Sequence, residues 1–434
     1  MSSKRLSGLH VWLDYIASLH PTEIELGLDR VSRVAANLSL SKPAPLVVSV
    51  AGSNGKGSCV ACIEAILQQL GLRTASYTSP HIQHYNERIK LSGVAVTDQQ
   101  LCEAFAAVED SRAGITLSYF EFGTLAAFWL IQKSAADVAV LEVGLGGRLD
   151  AVNIVDPDVS VISSIAIEHT AWLGDSLEEI GREKAGILRH SVPAIYGEEN
   201  PPASILKVAG SLDARLYVQG KDFRYVLDSA ASTWSWQGFS SVSGKIEFSN
   251  LPLSDIDPVN ASTALQALAQ LPVEVSRESV VRALSAARLA GRFERCRDRN
   301  TAIEVILDVA HNPAAAAFLA RKLQCYRSGR KGFSRITAVI AMIADKDING
   351  FYQALESCVD LWYIAQVSEP RCMPVEELAK RLRNCDQALS IRKFNELSSA
   401  YRAACEQADA GDLILVTGSF YTVGTIRNLT SATG

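Results

Sequence analysis

From residue 46 onward, short apolar runs alternate with longer amphipathic segments. "LVVSVAG" reads as a buried strand, and Ser58 to Leu70 reads as a helix stopped by Gly71. "RTASYT" is a short second strand. Thr97 is placed to cap a helix through about Glu109, and Glu121 to Ser134 forms another apolar helix. "DVAVLEVGL" has the composition of a strand buried on both faces, glycine-rich "GLGGRLD" follows it, and "DVSVISSIAI" repeats the pattern. Such alternation predicts a mostly parallel sheet with helices on both faces.

Between about 215 and 250 the texture changes. "RLYVQGKDFRYVLDSAASTWSWQGFSSVSGKIEF" alternates polar and apolar positions and is punctuated by Gly and Ser, so a small antiparallel excursion is expected. Helical "PVNASTALQALAQL" follows it. A second series begins after "AGRFERCRDRN", with strands at "AIEVILDVA", "ITAVIAMI", "DLWYIAQV" and "DLILVTGSF". The helix "HNPAAAAFLARKLQ" has Pro313 suited to its first turn. The expected division is a larger domain at 1–290 and a smaller α/β domain at 291–434.

Composition narrows the function classes. A chain of 434 residues with 48% hydrophobic and 21% charged residues is an ordinary globular protein of two or three domains. Its net charge of −5 offers no basic domain for nucleic acid or a membrane surface, so an anionic ligand needs a local positive site. No run reaches the roughly 18 apolar residues of a spanning helix. His10 and Asp14 interrupt the first apolar stretch, against a signal peptide. Nine scattered cysteines fit a reducing cytoplasm. Cys59 and Cys62 form C-x-x-C, but no second pair lies at zinc-finger distance, which favours two packed thiols over a redox or metal pair. A monomer is the default expectation.

The stretch "AGSNGKGS" departs from the common phosphate loop G-x-x-x-x-G-K-[ST]: Val50 stands at the first glycine position and Gly57 at the hydroxyl position. The arrangement nonetheless runs from a strand through glycines into a helix N-terminus, which presents backbone N–H groups to an anion. Lys56 adds charge, Ser58 a hydroxyl, and Gly52, Gly55 and Gly57 allow close approach. The alternative is an ordinary turn with a surface lysine, and the context favours a nucleotide. Glu142 ends an otherwise apolar strand, where a carboxylate is costly unless paired, metal-bound or held by backbone N–H groups. Strand C-terminal ends form the ligand crevice of an open parallel sheet. Glu142 is therefore a candidate Mg²⁺ ligand, and Ser79, His81 and His169 follow strands at the same edge. Arg148 and Asp150 either contact substrate or pair with each other. Lys184 reads as a solvated helix lysine paired with Glu183 or Glu179. Asp308 and His311 follow a strand of the second series.

"GSNGKGS", "TSPH", "NERI", "YFEFGTLAAF", "LEVGLGGRLDAVNIV", "GREKAGI", "GRFE" and "DVAHNP" occur in that order. Together they resemble the bacterial folylpolyglutamate synthase/dihydrofolate synthase family of the Mur ligase superfamily, from "ELGLDR" to "VTGSF". The resemblance implies a large P-loop-type ATPase domain with a mostly parallel sheet and a small antiparallel excursion, followed by a smaller Rossmann-like α/β domain. It implies that Ser53, Asn54, Gly55, Lys56, Gly57 and Ser58 cradle the ATP phosphates, with Lys56 neutralising charge. Ser79 and Glu142 would hold one Mg²⁺, and His169 with a carbamylated Lys184 a second. Lys56, His169 and Lys184 would act in catalysis. Asn260, Arg292, Asp308 and His311 would contact the nucleotide. The pterin substrate would meet Glu23, Ile24, Glu25 and Leu26, then Ser118, Tyr119, Phe120 and Glu121, and Leu149, Asp150 and Ala151.

The implied reaction is ATP-dependent ligation of L-glutamate to dihydropteroate and to reduced folates through an acyl phosphate. Two positions depart from the family pattern. Glu168 stands where Asp is frequent and Val152 where a hydroxyl is common, and neither is expected to touch the proposed metal ligands. Competing readings are a synthase that only extends folates, a cell-wall ligase of the same superfamily, and a nucleotide-dependent switch without ligase chemistry. Against the cell-wall ligase, Gly57-Ser58 follows the loop lysine where threonines are usual.

Overall fold

The continuous apolar runs become strands buried on both faces, as a parallel sheet between helix layers requires. The computed structural model describes residues 6–22, 24–228, 231–328 and 335–432. The chain divides into two units, Met1–Ala287 and Arg288–Gly434. Glu23 lies outside the described residues.

In the first unit the strands are β1 (Leu46–Ala51), β2 (Thr74–Tyr77), β3 (Ile89–Leu91), β4 (Val94–Ala95), β5 (Val138–Glu142), β6 (Val159–Ile162), β7 (Ala194–Tyr196) and β8 (Leu216–Val218). They form one sheet in the order β4-β3-β2-β5-β1-β6-β7-β8. From β2 to β8 all neighbours are parallel; β3 runs against them, and β4, antiparallel to β3, turns back along their direction. Val48 of β1 stands between Val140 and Val159, all three fully buried. The chain leaves β1 over β5 to reach β2, and later continues on the other side with β6. The winding therefore reverses at β1, and ligands settle outside strand C-termini at such a point.

Two boundaries differ from the expected ones. Leu216–Val218 belongs to the parallel sheet as β8, so the excursion begins later, with β9 (Arg224–Asp228), β10 (Thr233–Ser240) and β11 (Gly244–Pro252). Three apolar-rich residues are too few to tell a parallel edge strand from a hairpin strand. The helix expected at Glu121 starts at Tyr119, because Ser118 caps it and Glu121 completes the capping box. Thr97 caps its helix (Asp98–Ser111) as expected. The helix Pro258–Leu268 returns to pack against the helix Lys56–Gln69.

The second unit has β12 (Glu294–Asp298), β13 (Glu304–Leu307), β14 (Ile336–Ile340), β15 (Leu361–Ile364), β16 (Ile391–Lys393), β17 (Leu413–Thr417) and β18 (Thr430–Ala432). Their order is β16-β15-β14-β17-β13-β12-β18, parallel from β16 to β13 and antiparallel beyond. β16 escapes the hydrophobic pattern because an edge strand carries polar residues, and β12, between β13 and β18, escapes it because Arg295 and Arg297 face outward between its buried positions. Pro313 opens the helix Pro313–Ser328. No helix among the described residues is long and apolar enough to cross a membrane.

Candidate active site

The loop between β1 and the helix Lys56–Gln69 is shaped by two glycines. Gly52 has φ of 148° and Gly55 has φ of 84°. A Cβ on Gly52 would overlap Ser163 Oγ, and one on Gly55 would overlap Asn260 Oδ1. Gly57 is different: it is helical, and an added Cβ would stand 3.6 Å from Glu142 Oε2, an ordinary contact. The segment after β6 braces the loop. Ser53 N–H donates to Ser164 O at 2.8 Å, and the Asn54 N–H to Ser164 Oγ at 2.9 Å. Ser163 Oγ donates to Asn54 O at 2.7 Å, and Ser53 Oγ accepts the Ala166 N–H at 2.9 Å. Lys56 Nζ curls back onto Gly52 O at 2.9 Å. The bracing hydroxyls of Ser163 and Ser164 belong to no recognised motif; a polar pair directly following a buried strand is their signal in the sequence.

Glu142, at the buried end of β5, accepts the Ser79 N–H at 3.3 Å. Ser79 and Glu142 therefore stand together, beside Gly57 at the start of the phosphate-loop helix. They offer hard oxygen donors of the kind Mg²⁺ takes, with phosphates and water left to complete the coordination. No group of three or more His, Cys, Asp or Glu side chains gathers for a metal among the described residues. His81 faces elsewhere: its Nδ1 accepts from Arg88 Nε at 2.9 Å, and burial with that guanidinium pushes it down to about 4.

Lys184 is buried at 2% exposure and donates to Glu168 Oε1 at 2.9 Å. This corrects three expectations. Lys184 is not solvated. Its suggested partners are engaged elsewhere, Glu183 with Arg148 and Glu179 with the cap at Ser176. Residue 168 does touch a proposed metal ligand. Burial brings the ammonium down to about 8, even though Glu168 opposes the shift. Burial likewise works against the Glu168 carboxylate, but Lys184 and Lys56 outweigh it and hold that group at about 2. His169 adjoins this pair at the start of the short helix Thr170–Leu173, with a left-handed φ of 48°. As an ammonium Lys184 has no lone pair with which to ligate a cation.

The three stretches assigned to the pterin substrate are tied together, Glu23 excepted. Gly27, just past Ile24–Leu26, donates its N–H to Leu149 O at 3.3 Å. Arg30 bridges Glu25 and Glu121. Asp150 does not pair with Arg148; it accepts the Leu145 and Val152 N–H groups at 2.8 and 2.9 Å, which shapes the turn carrying Leu149 and Ala151. Phe120 lies against Gly144 and stacks with Tyr77 at 6.0 Å. Tyr119 lies under the Arg88 guanidinium at 5.7 Å.

In the second unit, Asp308 accepts the N–H groups of Phe293 and Ala310 at 2.8 and 2.9 Å. Burial raises its carboxyl and the neighbouring Arg292 counters it. Arg292 lies over the Phe420 ring at 5.3 Å, and the His311 ring meets the same phenyl at 6.0 Å. Phe420, which starts a helix after β17, was not anticipated, and no local motif marks it.

Residues 291–420 match the Mur ligase, glutamate ligase domain. Over 98% of its length the chain is 42% identical to the dihydrofolate synthase/folylpolyglutamate synthase of Escherichia coli, covering 96% of that protein. Among solved structures it is similar to E. coli FolC in complex with DHPP and ADP, with a TM-score of 0.90, 41% identity and 98% of each chain covered. A bifunctional folylpolyglutamate synthase/dihydrofolate synthase with Mn, AMPPNP and L-glutamate bound gives a TM-score of 0.87 at 41% identity over 99% of each chain. Likeness of that extent spans the phosphate loop, the paired Ser79 and Glu142, and the second sheet alike, and the chain belongs to the bifunctional dihydrofolate synthase/folylpolyglutamate synthase family.

Proposed function

We propose that this chain uses ATP to join L-glutamate to dihydropteroate, making dihydrofolate, and to reduced folates, making folylpolyglutamates. The observation that carries the reading is the gathering at one sheet edge of a glycine-built anion cradle and the Ser79–Glu142 pair, in a chain alike over its whole length to relatives so named. The substrate carboxylate attacks the γ-phosphorus of ATP and ADP leaves. The amine of L-glutamate then attacks the acyl carbon of the resulting acyl phosphate, phosphate departs, and the amine proton is lost.

The residues divide this task. N–H groups from Ser53 to Ser58 hold the phosphates, and Lys56 turns from Gly52 O toward them. Asn260, Arg292, Asp308 and His311 are assigned to the nucleotide, and Leu149 to Ala151 with the segments around Glu25 and Glu121 to the pterin end. Ser79 and Glu142 would hold one divalent cation. When bound, it offsets charge on the transferring phosphoryl group. His169 and a carbamylated Lys184 would hold a second. Burial favours the modification, because an ammonium lowered to about 8 leaves more neutral amine to attack CO₂ than a solvated lysine does. A ¹³C NMR carbamate signal from ¹³C-bicarbonate, present in the wild type and missing in Lys184→Ala, tests that assignment. We place the enzyme in the cytoplasm as a monomer.

Phosphate release decides the main reading. It is expected only when ATP, L-glutamate and either dihydropteroate or tetrahydrofolate are all present, with the glutamylated product formed. ATP hydrolysis without a glutamate-dependent product would overturn the proposal. Product from tetrahydrofolate alone would reduce it to folate extension.

A further inference from the structure

Ile24–Leu26 and Ser118–Glu121 are far apart in sequence, and one side chain holds them in register. Arg30 Nη2 donates to Glu121 Oε1 at 3.0 Å, while Nη1 donates to Glu25 Oε1. Nη2 also reaches the backbone oxygen of Glu25 at 3.3 Å. The other oxygen of each carboxylate is engaged as well: Glu25 Oε2 meets His20 Nε2 at 2.6 Å, and Glu121 Oε2 accepts the Ser118 N–H at 2.8 Å.

The two ends of this bridge are unequal. The Glu121 side chain is 4% exposed and belongs to the capped start of the helix Tyr119–Ser134, whereas the Glu25 side chain is 46% exposed on a loop. An exposed ion pair by itself contributes little stability. Its effect here is positional, because a planar guanidinium fixes direction as well as distance and an ammonium does not. His20 Nδ1 and Arg30 Nε are buried at this junction with no hydrogen-bond partner among the described residues. The junction thus keeps polar capacity that no side chain uses. The nucleotide cradle shares none of these contacts.

We propose that Arg30 is a positioning residue for the pterin-bearing carboxylic acid: it sets the spacing between the loop at Ile24–Gly27 and the helix start at Ser118–Glu121. This rests on the ligase reading above. Arg30 acts through Glu25 and Glu121 and touches no reacting atom.

Steady-state kinetics of the full chain test it, with Arg30→Met and Arg30→Lys compared with wild type. Arg30→Met is expected to raise KM for dihydropteroate about tenfold or more, with a smaller change in kcat and KM for ATP unmoved. Arg30→Lys, which keeps the charge but loses the fork, should recover only part of the loss. An unchanged KM for dihydropteroate in Arg30→Met, or full recovery in Arg30→Lys, would overturn the proposal. So would a parallel rise in both KM values. If Arg30→Met does not fold, Arg30→Lys alone decides by the same split between the two KM values. A wild-type chain that makes no dihydrofolate would sink the ligase reading instead, which keeps the two failures distinguishable.

Discussion

The two sheet edges hold the residues proposed for the nucleotide by different means. At β1 the anion cradle is local: seven consecutive residues, Gly52 to Ser58, carry the shape, and two glycines with positive φ make it possible. At β13 the assembly is tertiary. Asp308 is fixed by N–H groups from Phe293 and Ala310, and Arg292 and His311 flank a ring supplied by Phe420. A local device depends on backbone geometry and tolerates no Cβ at Gly52 or Gly55, whereas a dispersed one depends on polar bonds and can lose one at a time.

That difference predicts a graded set of effects. Gly52→Ala should be most severe, because its Cβ overlaps Ser163 Oγ in a backbone conformation that L side chains rarely adopt. Phosphate release should fall by about a hundredfold or more; retention of a third of the activity would show that the loop is not rigid. Asp308→Asn should be milder. One of its two N–H partners would face an amide N–H, raising KM for ATP about tenfold and lowering stability by about 1–2 kcal/mol. Equal losses from both variants would erase the contrast.

Two buried aspartates sharpen it further. Burial pushes Asp150 of the first unit up to about 6 in spite of its N–H bonds. Asp298 of the second unit is also raised by burial, but bonds from Thr301, Asn300 and Tyr401 outweigh this and hold it below its ordinary 3.8. The signs oppose. Asp150 binds its proton more tightly when folded, so its contribution is full below pH 3.8 and is lost as pH rises through about 6. The Asp298 contribution is present above 3.8 and is lost as pH falls. Urea unfolding against pH should therefore flatten between about pH 4 and 6 in Asp150→Asn, by at most about 3 kcal/mol. In Asp298→Asn it should flatten only below that window. The smallest effect concerns Cys59 and Cys62, buried thiols that burial pushes up, Cys62 to about 12. Iodoacetamide should leave both unlabelled in the folded protein, and prompt labelling by mass spectrometry would reopen a redox role.

Most of this architecture was legible before any coordinates. Strands buried on both faces announce themselves by continuous apolar runs, and β1, β5 and β17 did so. β16 did not, since an edge strand has no such run, and β12 did not, since exposed Arg295 and Arg297 interrupt its buried positions. Among site residues, Gly52, Lys56 and Glu142 stood out because their types are unusual at strand ends. Glu168 escaped because nothing local tells a residue that its partner is sixteen positions away on a buried helix face. Arg30 and Phe420 escaped for the same reason: their meaning lies in what they touch.

Asn260 faces Gly55 in the cradle, and its backbone oxygen lies 3.6 Å from the thiol of Cys59, 201 residues earlier in the chain. Contacts across such a separation cost loop entropy before they return any stabilisation, so they form late in folding. A nascent chain that has emerged only as far as β8 carries the whole phosphate motif but lacks the side chain that closes over it. If Asn260 serves the nucleotide as proposed, the order of synthesis delays binding until the helix Pro258–Leu268 has been made.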